Sequence, residues 1–202
     1  PITFSGTGNS YNWTNNNTAI GLGSNGSGNI PSFTATNNTN NPIIATITVT
    51  PVNSQGGTNC SGIPQSFTIT VNPTATVNDP VDQTICNGTS STDVIFSGNA
   101  TLYNWVNSTP SIGLAATGTG NIPSFAAINN GNTVITATIT VTPVYSNAGI
   151  NCSGAPQTVT IAVVPTPTVT DPTDQVVCNA TSTDPITFSG TGNSYNWTNN
   201  NT

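Results

Sequence analysis

Residues 1–18, PITFSGTGNSYNWTNNNT, return letter for letter at 185–202. Between those copies the text recurs less strictly at half the distance. Tyr11-Asn12-Trp13 becomes Tyr103-Asn104-Trp105 and then Tyr195-Asn196-Trp197, each step 92 residues with no insertion. Cys60 maps to Cys152 and Cys86 to Cys178 by the same step. A fixed period is the mark of an array. This one exceeds the solenoid range and matches one small domain. The expected organisation is a repeat lacking its first strand over 1–72, a complete repeat over 73–164, and the first strands of a third over 165–202.

Composition then removes most chemistry. The chain has no Lys, Arg or His, and its six acidic residues are all Asp. Neutralising a phosphate backbone needs cations, so nucleic acid is not an expected partner. General acid–base work falls mostly to His, Lys or tuned carboxylates, and of these only Asp remains. A Ser-His-Asp or Cys-His arrangement cannot be assembled, so no catalytic residues are assigned and an enzyme is not expected. Four cysteines at wide spacing without His do not make a zinc site. No apolar run approaches the 18 residues of a membrane-spanning helix. Cysteines in step with the repeat point instead to disulfides and an oxidising, extracellular location.

Thr and Asn make up about a third of the chain, yet apolar alternation persists, which disordered chains lack. Ile135, Ala137, Ile139 and Val141 alternate with Thr136, Thr138, Thr140 and Thr142, the pattern of a half-buried strand over 133–144. Val159, Ile161 and Val163 alternate likewise after a loop that holds Cys152. Further strands are expected at 81–86, ended by Asn87-Gly88, at 93–97, and at 102–106. Tyr103 and Trp105, two apart, share a face, and Tyr11, Trp13, Tyr103 and Trp105 read as core anchors. No segment has helical periodicity. The expected fold is all-β: tandem immunoglobulin-like Greek-key β-sandwiches of about seven short strands each.

The ordered pieces YNWTNNNTAIGL, GSGNIPSFTATN, ATITVTP, NCSGIPQSFTITVNP and DQTICNGTSSTDVIFSG together resemble the PKD-like repeats of giant secreted surface proteins of Bacteroidota. The resemblance spans the whole chain. It implies long Ig-like arrays exported by the type IX route, some serving as adhesins in gliding or biofilm attachment. It implies a structural or adhesive role and carries no catalytic residues.

Several candidate sites follow from the residues. Cys86 and Cys152 would staple one repeat, while Cys60 and Cys86 would bridge a joint. The chain-entropy model assigns about 4 and about 3.5 kcal/mol to these loops. A staple within each domain favours Cys86–Cys152, with Cys60 and Cys178 paired outside this stretch. Asp79 and Asp82, repeated as Asp171 and Asp174, are candidate calcium ligands, with ordinary Asp-Pro turn chemistry as the alternative. Asn-x-Ser/Thr sequons occur at Asn12, Asn16, Asn25, Asn37, Asn87, Asn99, Asn107 and Asn179. Glycosylation at Asn12, Asn87 or Asn179 would supply solubility that charge does not. Thr46, Thr48, Thr50, Thr68 and Thr70 form outward rows that can present a regular surface to crystalline polysaccharide or ice.

A repeat without its first strand leaves an open edge. Donation of 165–184 to a neighbouring molecule is one answer. The terminal duplication speaks against it, because 185–202 would compete with 1–18. A stretch of a continuous repeating chain accounts for the overlap with fewer assumptions. The expected function is therefore that of an extracellular bacterial surface fibre or adhesin stalk, with further copies of the repeat as partners. The alternative is a carbohydrate-binding adhesion module holding surface glycans, with or without calcium.

Overall fold

The computed structural model describes residues 1–200. Strands dominate, and the only helical pieces among the described residues are two single 3₁₀ turns, Thr18–Ile20 and Pro110–Ile112. β1 (Ser10–Asn15), β2 (Asn25–Ser27), β3 (Ile43–Gln55), β4 (Thr58–Ser61) and β5 (Gln65–Val71) form one sheet. Its order is β2-β1-β3-β4, with β5 also paired to β3. β6 (Gln83–Cys86), β7 (Leu102–Asn107), β8 (Thr117–Thr119), β9 (Ile135–Asn147), β10 (Ile150–Ser153) and β11 (Gln157–Val164) form the second. Its order is β6-β11-β9-β7-β8, with β10 also on β9. β7 to β11 each begin 92 residues after β1 to β5. The chain divides into two compact units: Pro1–Asn78 with Phe96–Asn104 and Val141–Gln157, and Asp79–Ile95 with Trp105–Thr140 and the segment from Thr158 onward.

The alternation seen in the sequence sets the registers. β3 runs antiparallel to β1, placing Trp13 opposite Val49, and antiparallel to β5, placing Ala45 opposite Ile69. Ala45, Ile47 and Val49 then face one way and bury, while Thr46, Thr48 and Thr50 face the other way. A second layer of extended chain, joined by the Ile2–Ile30 bridge, closes over the apolar face. Trp13, Ile20, Leu22, Ile30, Ala45, Ile47 and Val49 form the core there, with Phe4, Tyr11 and Phe67 packed against it. The result is an all-β, sandwich-like layering driven by burial of one face of the sheet.

Trp13 explains a glycine. A Cβ at Gly26 would overlap the Trp13 indole, and at Gly118 it would overlap the Trp105 indole. The short strands β2 and β8 therefore carry Gly where the ring lies flat on their backbone. Each indole is nearly buried, and neither ring N–H has a hydrogen-bond acceptor.

Three local expectations change. The stretch expected as a strand over 93–97 contributes one bridge, Val94 to Ile122, rather than a ladder. The loop expected to hold Cys152 is strand β10, closed on β9 by Ala148-Gly149. These two residues have φ of 49° and 78°, the positive pair of a tight hairpin turn. The first strand of the repeat shrinks to β6 and pairs parallel to β11, from Ile161 opposite Gln83 to Val164 opposite Cys86.

Candidate functional surfaces

Among the described residues no group of three or more His, Cys, Asp or Glu side chains is placed to hold a metal ion. Asp82, a candidate calcium ligand, serves another purpose: its Oδ1 accepts the backbone N–H of Thr160 at 2.7 Å. The carboxylate thus caps the start of the β6–β11 pairing. Asp79 is exposed. Asp171 and Asp174 line a shallow concavity of about 520 Å³ together with Asp184, all exposed. Asp174 makes no counterpart of the Asp82 bond among the described residues.

No two of the four cysteines are bonded to each other in this structure; Cys60, Cys86 and Cys178 are exposed and Cys152 is half-buried. Neither the preferred Cys86–Cys152 bridge nor the Cys60–Cys86 alternative is present among them. The register supplies the reason for the first. Cys86 pairs with Val164, next to Asn87, whose Oδ1 accepts the N–H of Asn129. Asn129 in turn reaches Thr133, just before β9 begins. Cys152 instead faces Tyr145, near the far end of β9. From Ile135 to Tyr145 an extended strand covers roughly 33 Å, whereas a disulfide requires Cα atoms about 5–6 Å apart.

The sequons also separate by structure. A sugar attaches through Nδ2. At Asn87 that atom donates to Thr166 Oγ1 at 3.0 Å in an exposed setting. Asn99 donates to the Thr74 carbonyl at 3.0 Å, and buried Asn107 donates to Leu114 at 3.1 Å. Asn37 donates to Asn41 and Val71, both at 2.8 Å. Asn12 and Asn179 are exposed.

Those amides reveal a group the sequence reading missed. Asn15 and Asn107 tie the ends of β1 and β7 to the carbonyls after each 3₁₀ turn, through Leu22 and Leu114. Asn129 is only 2 % exposed and donates to Thr133 and Val163 at 2.8 and 2.7 Å. A buried amide that satisfies several backbone groups fixes a loop that no ladder can hold. Each recurs at 92 residues, Asn15 with Asn107 and Asn37 with Asn129, which was the available signal. In an Asn-rich chain it was hidden by abundance.

Among the aromatic anchors, Trp13 and Trp105 are 7 % and 6 % exposed, and Tyr11 and Tyr103 are half-buried. Tyr103 stacks obliquely on buried Phe96 at 5.6 Å between ring centroids. Burial pushes its phenol above the ordinary tyrosine value.

The outward face of the first sheet presents hydroxyl and amide groups without charge. Thr48 lies between Thr14 on β1 and Ser66 on β5, and its Oγ1 shares a hydrogen with Ser66 Oγ at 2.9 Å. Thr46 lies opposite Thr68, and Thr50 opposite Asn12. No helix among the described residues is long and apolar enough to cross a membrane. Compared with known proteins, the chain matches no family model and no curated protein.

Proposed function

We propose that this chain is a piece of a structural rod: tandem immunoglobulin-like, PKD-like sandwiches in an extracellular surface fibre or adhesin stalk. One observation carries the reading. Five strands and a 3₁₀ turn recur at a constant 92-residue step, down to the glycine beneath each Trp. Selection on a catalytic pocket tolerates divergence elsewhere, whereas a stacked array needs each unit to keep one geometry. The dearth of charge and of convergent titratable groups fits a role discharged by shape. The resemblance to Bacteroidota surface proteins supports an extracellular, type IX-exported parent.

Electron microscopy of the native parent material tests this. Fibres with an axial period of one or two repeats are expected, and compact single particles would overturn the reading. The uncharged Thr–Ser face of β1, β3 and β5 favours a second reading, adhesion to a flat polysaccharide. A glycan array run with and without calcium, showing no binding in either condition, would remove it.

A further inference from the structure

The thirteen residues of β9 repeat those of β3 letter for letter except at three positions, where Ile44, Asn53 and Gln55 become Thr136, Tyr145 and Asn147. Two of these three exceptions meet the preceding repeat. Asn147 donates from Nδ2 to Asn72 Oδ1 at 2.8 Å in a partly buried setting. Tyr145 is half-buried and lines a cleft of about 560 Å³ that also takes in Asn40 and Asn41, from the turn before β3. All of these residues except Thr136 lie within the first compact unit.

One part of the lining is fixed by bonds already made. The Thr76 N–H and hydroxyl donate to Asn99 Oδ1 at 2.6 and 3.0 Å, and the Asn99 N–H donates to Thr76 Oγ1 at 3.1 Å. Thr101 Oγ1 donates to the Val144 carbonyl at 3.2 Å and accepts the Ser146 N–H at 2.8 Å. Next to Thr76 along the chain, Pro73 and Ala75 are buried, and a Cβ at Gly154 would overlap the Ala75 carbonyl. A cleft held in this way does not have to be ordered by its ligand.

The other part is unspent. The side-chain amides of Asn40 and Asn41 and the Tyr145 hydroxyl have no hydrogen-bond partner among the described residues. An anionic ligand would find no cation, because the chain has no Lys, Arg or His. A cationic one would find no carboxylate, because no Asp lines the cleft. An apolar one would find no Ile, Leu, Val or Pro wall. A neutral, hydroxyl-rich ligand remains. Amides supply donors and acceptors side by side for its hydroxyls, and a Tyr ring offers an apolar face to the C–H side of a sugar.

We propose that this cleft binds a neutral oligosaccharide, with Tyr145 against one sugar ring and the Asn40 and Asn41 amides bonded to its hydroxyls. The ring is what sets the site apart. A repeat with Asn at that position, as the first repeat has at Asn53, keeps the strand and loses the stacking face. The site is independent of the rod reading, which concerns fibre period. It is also distinct from the outward face of β3, since Thr46, Thr48 and Thr50 do not line the cleft.

The test titrates the full chain with maltotriose, cellotriose, laminaritriose, mannotriose and chitotriose, and with trigalacturonic acid as the charged comparison, following backbone amide shifts by NMR. The expected result is saturable binding of at least one neutral trimer, with shift changes concentrated at 40–41, 76–78, 98–101 and 144–146. Tyr145→Asn, which installs the residue of the first repeat, should weaken that binding at least about tenfold. Asn41→Ala removes an exposed amide without touching the core and should weaken it about threefold or more. No saturable binding by any neutral trimer, equal binding of trigalacturonic acid, shift changes on the Thr46–Thr50 face instead, or undiminished affinity in either variant would each overturn the proposal.

Discussion

Replacing Asn129 by Ala isolates the contribution of the buried amides. Three side-chain hydrogen bonds disappear: Nδ2 to the carbonyls of Thr133 and Val163, and the Gly131 N–H to Oδ1 at 2.9 Å. The Val163 carbonyl lies in a buried setting, so losing its donor costs about 1–3 kcal/mol. The other two groups lie nearer the surface, and water replaces part of their bonds, leaving about 0.5 kcal/mol each. The expected loss is therefore about 3 kcal/mol. At about 4–8 °C per kcal/mol for a domain of this size, the melting temperature should fall by roughly 12–24 °C. Asn37→Ala is the matched control. Its Nδ2 bonds to Asn41 and Val71, and the two that its Oδ1 accepts from the Thr39 N–H and hydroxyl, are each 2.8 Å but lie in exposed or part-buried positions. At about 0.5 kcal/mol each its loss should be about 2 kcal/mol and its shift roughly 8–16 °C. Asn129→Asp should be worse than Ala, since it sets an acceptor against two carbonyls. Scanning calorimetry on the wild-type chain and these variants reads all three shifts. Equal shifts for Asn37→Ala and Asn129→Ala would refute the argument that burial, not bond count, sets the cost.

Gly118→Ala should destabilise by about 1–3 kcal/mol, because the new methyl collides with the Trp105 indole; urea denaturation followed by Trp fluorescence measures it. Without denaturant, a chromogenic thiol reagent should find four free thiols in protein purified without reductant, with Cys152 the slowest; loss of two thiols that reduction restores would favour a disulfide. Alkali should destabilise the chain through Tyr103. Its folded pKa lies above that of the unfolded phenol, so its contribution is fully present below pH 10 and is lost as pH rises beyond it, and Tyr103→Phe should flatten that decline in thermal melts.

The 92-residue step was legible because it is a property of the text, and so was the inward set Ala45, Ile47 and Val49, because a strand has only two faces. The seating of Trp13 and Trp105 followed from the same parity. Parity carries no information about distance along a strand, so it could not separate Cys86 from Cys152, which β9 holds at opposite ends. Nor could composition tell an amide that holds backbone from one that is simply exposed, since Asn12 and Asn87 read alike until Thr166 and Asn129 are brought beside the latter. Local pattern decides which residues turn inward. Which inward or edge groups meet depends on pairing across tens of residues, and only the tertiary structure supplied the parallel seat of β6 on β11.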